Sequence, residues 1–238
     1  MKARHLILFA AAAPLRAAEL PSLLPAGAKE LSTTMQIVIL MTLLTLLPAI
    51  FMSITPFLRI SIVLHFLRQA LGTQSAPSNQ VLVGLSLFLT MVLIQPLGVQ
   101  IYHEAWAPLE AGKISAPQAW EAGTKPLRIY LGRFVREKDV QLFLDMTHAA
   151  RPRTSADLDL AVLAPAYVLS EMRAGFQIGA VLFLPFLLID IIVASVTLSI
   201  GMVQLPPVMV SAPFKLLLFV LVDGWNLTVG SLMKGFYA

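Results

Sequence analysis

Three long stretches without a charged residue constrain this chain more than any other feature. They run from Leu31 to Leu58, from Gln69 to His103 and from Ile191 to Phe214. Each is long enough to hold a membrane-spanning helix, which needs about 20 mostly apolar residues. Only 13% of the 238 residues are charged, whereas a soluble domain carries about a quarter. We therefore predict a polytopic membrane protein or a subunit buried in a membrane assembly.

The N-terminus has the pattern of a secretory signal peptide. Lys2 and Arg4 precede a short apolar run, Leu6 to Ala13, and a cleavage zone at 15–18 follows, which ends in the small residues Ala17 and Ala18. Eight apolar residues are too few to span a bilayer, so we predict that residues 1–18 are a cleaved signal peptide, with an uncleaved amphipathic anchor as the alternative. Residues 19–34 then form an N-terminal segment outside the cytoplasmic membrane.

The rest of the chain predicts an all-α fold of two kinked helical hairpins separated by a helical polar insert. The first hairpin covers 35–103, with Arg59 and Arg68 between its spans on the cytoplasmic side, as the positive-inside rule requires. The insert, 104–173, holds nine basic and nine acidic residues and lies on the periplasmic side. The second hairpin covers 174–238, and its two apolar segments meet at the turn 201–207.

Capping patterns predict where helices begin within the insert. Thr124 followed by Pro126 favours a helix start, and Ser155 can cap a helix whose first turn carries Asp157 and Asp159. Residues 148–157 are predicted to be a hinge loop. One apolar face is expected to be buried, and it consists of Ile129, Phe134, Leu142, Phe143 and Met146.

Prolines and aspartates interrupt the apolar segments. Asp190 and Asp223 lie in the last two, and a charge at the bilayer centre costs about 2.5–3.5 kcal/mol on insertion scales. We therefore expect these helices to face protein, with a small-solute or proton-coupled transporter that uses both aspartates as the alternative. Three glycines are predicted close-packing positions, and three prolines are predicted interruptions: Gly72, Gly84, Gly98, Pro48, Pro96 and Pro185.

Several other classes of function lack the residues that they need. The chain has no cysteine, and its four histidines lack the spacing of a metal site. Its basic residues form no run or aromatic-interleaved patch that would track phosphates. We predict no catalytic residues, no cofactor, no metal and no nucleic-acid partner.

Three motifs, in their order along the chain, resemble those of one family. They are "TPFLRISIVLHFLRQALGTQSAPSNQVLVGLSLFLT" (55–90), "PAYVLSEMRAGFQIG" (165–179) and "LPPVMVSAPFKLLLFVLVDGW" (205–225), with a weaker match in "REKDVQLFLDM" (136–146). They are similar to the FliP family of flagellar biosynthetic proteins, from about residue 35 to the end. The related subunits of virulence type III secretion systems share the pattern, but the signal peptide and the insert favour the flagellar branch.

The resemblance implies a non-enzymatic pore or gate subunit of the flagellar type III export apparatus. Such a subunit supports flagellum assembly from the inner membrane and the flagellar basal body. The implied partners are further copies of this chain, FliQ and FliR, other export-apparatus membrane proteins, and the exported flagellar polypeptides. In this family, apolar helices are buried among subunits.

The resemblance also assigns a role to the turn between the last two helices. In the family this turn carries methionines that form a gasket around the closed channel, because methionine is flexible and polarisable. The residues at the matching positions are Gly201, Met202, Val203, Gln204 and Leu205, followed by the turn residues Pro206 and Pro207. This chain departs from the family's methionine triplet, since only Met202 remains.

Charged residues at or within the apolar segments are predicted to be buried or to contact other subunits. They are Arg59, Glu171, Asp190, Lys215 and Asp223. Neither Glu171 nor Lys215 can stay unpaired in a dry interface. We therefore predict that they pair between neighbouring copies, with hydration of both at helix ends as the alternative.

Overall fold

The computed structural model describes residues 32–73, 75–148, 157–201 and 206–237, and all regular structure within them is helical. The helices are α1 (Thr33–Ser53), α2 (Phe57–Ala70), α3 (Asn79–Ile101), α4 (Ala107–Glu110), α5 (Ala116–Phe134), α6 (Glu137–Thr147), α7 (Leu160–Ser199), α8 (Pro207–Leu221) and α9 (Gly224–Tyr237), with a π-helical turn at Tyr102–Trp106. The predicted all-α fold is confirmed. The predicted signal peptide and most of the predicted hinge loop lie outside the described residues.

Several of these helices are long and apolar enough to cross a membrane. They are α1, the continuous run Asn79–Glu110, and α7. Helices α8 and α9 qualify only as a pair, which bends by 65° at a short break. The described part of the chain therefore supports the membrane-protein class predicted from the charge-free stretches.

The chain divides into two units, residues 1–51 and 52–238. Most of α1 lies in the first unit, and two of its threonines hydrogen-bond within the helix. The hydroxyl of Thr42 donates to the carbonyl of Val38 (2.8 Å), and that of Thr45 donates to the carbonyl of Met41 (3.1 Å). Such internal hydrogen bonds let hydroxyl-bearing residues occur in an apolar helix without unpaired donors.

Helix α2 is the buried centre of the second unit. One face packs on α3 through Ile60, Leu64 and Leu82, all fully buried. Another part, around Leu67 and Ala70, contacts α7 and α8. From the sequence, this segment is predicted only to be a positively charged connection between spans, because Arg59 and Arg68 near its two ends match the charge pattern of a cytoplasmic loop. That charge pattern does not distinguish a loop from a short helix.

The insert packs on the first half of α7. Leu131 of α5, Leu144 of α6 and Leu163 of α7 share one apolar cluster with Tyr167. The predicted buried face is only partly correct. Phe134 and Phe143 pack against this cluster, whereas Ile129, Leu142 and Met146 are exposed large apolar residues.

The predicted helix starts in the insert need correction. Helix α5 begins at Ala116, eight residues before Thr124. Its N-cap is Ser115, whose backbone N–H donates to the Gln118 side chain (2.9 Å) as in a capping box. The chain repeats a hydroxyl-x-Pro pattern at 115–117 and 124–126, and the first copy starts the helix. Asp159 caps α7 by accepting from the N–H of Ala161 (3.1 Å), while Ser155 lies outside the described residues.

Helix α7 runs unbroken for 40 residues from the insert into the last hairpin. The predicted boundary at residue 174 falls within it. Pro185 lies inside α7, as Pro48 does in α1 and Pro96 in α3, and each helix continues on both sides. The insert and the C-terminal hairpin are therefore joined by one continuous α-helix.

Candidate functional site: the gate-like turn and the buried ion pairs

The gate-like turn lies between the end of α7 at Ser199 and the start of α8 at Pro207. Gly201 has a φ of +76°, a conformation that L-residues with a side chain rarely adopt. Its N–H donates to the carbonyl of Leu198 (3.0 Å), which closes the helix end. Pro207 occupies the first turn of α8, where its missing N–H costs nothing. Four of the five predicted gasket residues, 202–205, lie outside the described residues.

A buried ion pair connects the two helices next to this turn. The Nζ of Lys215 on α8 lies 2.6 Å from Oδ2 of Asp190 on α7, and the lysine side chain is 1% exposed. Ser211, one helical turn before Lys215, donates to the other carboxylate oxygen of Asp190. Both oxygens of the aspartate are thus occupied by donors from α8. The two polar residues of α8 and the aspartate of α7 hold the hairpin together.

A second ion pair joins α2 to the first half of α7. Arg59 donates through Nη2 to Oε1 of Glu171, and the glutamate side chain is fully buried. The guanidinium also lies 4.2 Å from the ring centroid of Phe236 and 5.5 Å from that of Phe134. Cation–π contacts of this kind stabilise a cation that is withdrawn from water. Arg59 therefore connects α2, α5, α7 and α9.

The predicted pairing of Glu171 with Lys215 is not what the chain forms. Each residue has its own partner in the same chain, Arg59 for Glu171 and Asp190 for Lys215. A buried charge takes the nearest opposite charge that its helix packing supplies. The sequence could not reveal this choice, since it does not show that α2 packs along α7. Arg59, Glu171, Asp190 and Lys215 nevertheless all carry ion pairs.

Asp223 does not behave as a buried charge of the described chain. It is exposed and lies in the short break between α8 and α9, with a φ of +51°. Its carboxylate accepts a hydrogen bond from the side chain of Asn226 (3.1 Å). Aspartate tolerates this left-handed conformation better than most residues. Its carboxylate therefore marks a bend in the helix pair, and a subunit contact there stays a prediction.

One polar cluster was missed by sequence reasoning. Asp139 of α6 is 3% exposed and accepts from the hydroxyl of Ser170 on α7 (2.7 Å), which itself accepts from the backbone N–H of Arg136 (3.1 Å). Arg173 lies 3.6 Å from the same aspartate. The contacts of Ser170 attach the start of α6 to α7, and the position of Asp139 inside a family motif was the available signal.

Close packing between α2 and α7 depends on two glycines four residues apart. A Cβ built on Gly175 would lie 3.1 Å from Ile62, and one on Gly179 would lie 2.6 Å from the ring of Phe66. Of the predicted close-packing glycines, Gly72 faces α8 at ordinary contact distance, but Gly84 and Gly98 have nothing within 4 Å in the described chain. At those two positions the described residues therefore give no support to the close-packing prediction, and packing against another subunit there stays a prediction.

The hairpin formed by the second half of α7 and by α8 has a large apolar surface. Exposed apolar side chains recur at helical spacing on both helices, and they include Leu184, Leu188, Ile192 and Val196 on α7 and Met209, Leu217, Val220 and Leu221 on α8. In a membrane protein such surfaces contact either lipid or other protein subunits. Among the described residues, no three metal-ligating side chains gather into a possible metal site.

A comparison with known families identifies the family to which this chain belongs. The family model described as the FliP family matches residues 40–232, which include both ion pairs and the gate-like turn. This chain belongs to the FliP family. The resemblance read from the three sequence motifs is therefore confirmed.

FliP relatives match most of the chain. The flagellar biosynthetic protein FliP of Bacillus subtilis is 45% identical over 208 residues, 87% of this chain and 94% of the relative. That of Pectobacterium carotovorum is 45% identical over 225 residues, 93% of this chain and 87% of the relative. That of Caulobacter vibrioides is 43% identical over 210 residues, which are 88% of this chain and 79% of the relative.

Proposed function

We propose that this chain is a structural pore or gate subunit of the flagellar type III protein export apparatus. It acts in the inner membrane at the flagellar basal body, where it is required for export of flagellar subunits and for flagellum assembly. We further propose that it assembles with additional copies of itself, with FliQ and FliR and with other membrane proteins of the apparatus. Its role is non-enzymatic.

One observation supports the assembly most strongly. The α7–α8 hairpin neutralises its own charges through Lys215 and Asp190, yet exposes apolar side chains along both helices. A carboxylate that is one-fifth exposed beside a nearly inaccessible lysine is costly against hydrocarbon. Neighbouring protein subunits would cover the same surface while leaving such a pair hydrogen-bonded. The hairpin is therefore built to be surrounded by protein.

A transporter that uses free intramembrane carboxylates has less support. Asp190 is held by Lys215 and Ser211, and Asp223 is exposed at the bend between α8 and α9. A relay needs a carboxylate that can exchange its partner for a proton or cation. Neither aspartate has that arrangement in the described chain.

We also propose that the turn 201–207 lines the closed channel, with Met202 and its neighbours as the gasket. The left-handed Gly201 and the two prolines give a sharp, stiff connection. Several copies would place these turns in a ring, and a ring of apolar side chains can exclude water and ions. Gln204 is the exception to that chemistry, since an amide ring would seal poorly.

The assembly proposal is tested by deletion, complementation and purification. A strain that lacks this protein should lose flagella and motility, and the tagged full chain should restore both. The tagged protein should then purify in one large complex with FliQ and FliR. Two results would refute the proposal. In the first, the tagged chain restores growth of the deletion strain on a solute but has no role in motility. In the second, the tagged protein is a folded monomer that never binds FliQ or FliR.

The gasket proposal has its own test. Replacing Met202, Val203 and Gln204 together with alanine should make the membrane leak ions or small molecules while the complex still assembles. The single variants Met202→Ala and Gln204→Ala show which side chain seals the channel, and Val208→Ala on α8 provides a neighbouring control. Normal assembly with unchanged permeability in the triple variant would remove the gasket role from this turn.

A further inference from the structure

A polar cluster joins the end of α2 to the start of α3. Nε2 of His65 and Nη1 of Arg68, both on α2, lie 3.0 Å and 3.3 Å from Oδ1 of Asn79, the first residue of α3. Nδ1 of His65 lies 2.7 Å from the backbone carbonyl oxygen of Ser61, one helical turn earlier. The half-buried imidazole therefore contacts two oxygen atoms, one on each helix.

These partners determine which ring nitrogens of His65 carry hydrogen. A carbonyl oxygen only accepts, so Nδ1 donates to Ser61. Nε2 faces Oδ1 of Asn79, which is also an acceptor. Arg68 fixes that orientation of the amide, because a reversed amide would turn its NH2 group toward a guanidinium that can only donate. Both ring nitrogens donate at once only in the protonated, positively charged imidazole.

A neutral His65 cannot keep all of these contacts. With its single hydrogen on Nδ1, the lone pair of Nε2 faces Oδ1 of Asn79. Reversal of the amide would restore that contact, but it would break the hydrogen bond from Arg68. The cluster is therefore complete only while His65 is charged, and histidine is the side chain that ordinarily changes charge between about pH 5 and 8. The stabilisation by this cluster is thus present at low pH and is lost as the pH rises.

Arg68 is the charged group that shares the acceptor of His65, and its positive charge opposes a second one beside it. Helix α3 carries no charged residue between Asn79 and Ile101. The charged residues on the other helices packed against α2 are held in ion pairs or exposed. They are Glu171 with Arg59, Arg173 with Asp139, Asp190 with Lys215, and the exposed Lys234.

The end of α2 also contacts the start of α8. Residues 71–73, which follow α2 directly, are here called the α2 corner. A Cβ built on Gly72 would lie 3.6 Å from Cβ of Ala212 and 3.7 Å from Cγ1 of Val208. Both of these residues belong to the first two turns of α8. The α2 corner therefore packs directly on the helix that begins after the gate-like turn.

The α2 corner is also tied to the polar cluster. The hydroxyl of Thr73 donates to the carbonyl of Arg68 (3.2 Å), which is itself a partner of Asn79. We propose that His65 is a positioning residue of the α7–α8 hairpin. When protonated, it holds the α2 corner against the first two turns of α8, and this support weakens when it loses its proton. Only the consequence for export rests on the proposed function of that hairpin.

The melting temperature of the purified full chain, measured at about pH 5.5 and about pH 8, gives the first test. His65→Phe keeps an aromatic ring but has no hydrogen to donate. The difference in melting temperature between wild type and His65→Phe should be larger at the lower pH by about 2–4 °C, as expected for one hydrogen-bonded contact in a chain of this size. His103→Phe, at an exposed position, should show nearly the same difference at both pH values. The same difference at both pH values for His65→Phe would overturn the proposal.

Two variants of Asn79 test the acceptor that His65 requires. Asn79→Ala should remove the pH-dependent part of the difference between wild type and His65→Phe. Asn79→Asp keeps an acceptor and adds a negative charge, so the pH-dependent part should persist and extend to higher pH. A pH-dependent part that is unchanged in Asn79→Ala would overturn the proposal. Because melting temperatures are independent of export, this result would differ from a failure of the proposed function.

Hydrogen exchange tests the connection to α8. At about pH 5.5, amide hydrogens in the first two turns of α8 should exchange faster in His65→Phe than in wild type, since local opening becomes easier where a supporting contact is lost. Amide hydrogens of α5, which belongs to the insert, should exchange at the wild-type rate. Unchanged exchange in α8 would overturn the positioning role of His65.

Discussion

The ion pairs Arg59–Glu171 and Lys215–Asp190 have different surroundings, although each has its carboxylate on α7. Arg59–Glu171 is enclosed by this chain alone, with aromatic rings of α5 and α9 against the guanidinium and a fully buried carboxylate. Lys215–Asp190 joins two helices whose other faces are rich in exposed apolar side chains. The first pair belongs to a self-sufficient core, while the second belongs to a surface that other subunits would complete.

Because of this difference, the two halves of α7 have different roles: the first half contributes to folding of the chain, and the second half contributes to assembly. The first half of α7 is fixed by α2, α5 and α6 through apolar clusters and polar contacts. The second half is fixed by α8 and contacts α2 near Leu67 and Phe186. We therefore expect changes near Glu171 to prevent folding of the chain, and changes near Asp190 to affect mainly the assembly.

The largest effect is expected at Glu171. Glu171→Ala leaves Arg59 as a buried charge without its carboxylate, and breaking such a pair costs about 3–5 kcal/mol. We predict that little folded protein accumulates in membranes, measured by immunoblotting and by the melting temperature of what can be purified. Glu110→Ala, at an exposed position, is the matched control. Wild-type amounts of stable Glu171→Ala protein would contradict the self-sufficient core.

The second effect concerns Lys215 and Asp190. Lys215→Met keeps most of the side-chain volume but removes the charge, and the lost charged hydrogen bond should cost about 1.5–3 kcal/mol. We expect reduced incorporation into the large complex, measured by native electrophoresis, with more monomer remaining than for Glu171→Ala.

The reversed pair, Asp190→Lys with Lys215→Asp, should recover part of that incorporation if the two side chains act on each other. Replacement of both members of a buried ion pair by apolar residues can also leave the stability of a protein nearly unchanged. Equal defects in the single changes and the reversed pair would show that each residue has a separate role.

A smaller effect is expected where α2 packs on α7. Gly179→Ala places a methyl group against the ring of Phe66, and overpacking of this kind costs about 1–3 kcal/mol. Gly84→Ala makes the same change where nothing lies within 4 Å, and it should preserve or slightly raise the stability of the isolated chain. Melting temperatures of the two variants test this directly. Equal effects of Gly179→Ala and Gly84→Ala would mean that α2 and α7 pack less closely than the structure indicates.

The sequence predicted the helical membrane class and the family because both depend on local properties. Charge-free apolar stretches determine which segments can span, and the three motifs need no tertiary information. The pairing of charges was not predictable in the same way. Arg59 and Glu171 are 112 positions apart, and only the packing of α2 along α7 brings them together.

Other misses have equally physical causes. Helix α2 was not predicted because Arg59 and Arg68, near its two ends, give the segment the charge pattern of a cytoplasmic connection between spans. The start of α5 was misplaced because Ser115 and Thr124 each precede a proline by two residues, so the same capping pattern occurs twice. The exposure of Leu142 and Met146 depends on which face of α6 contacts α7, and α6 alone does not determine it.

We expect protein rather than lipid to cover the apolar surface of the α7–α8 hairpin. Val220 of α8 is among its most exposed side chains, and a photoreactive residue placed there in motile cells would report its neighbour on irradiation. We predict protein adducts that contain a second copy of this chain or FliQ or FliR, with motility retained. Adducts with lipid alone, in cells whose complex has assembled, would contradict it.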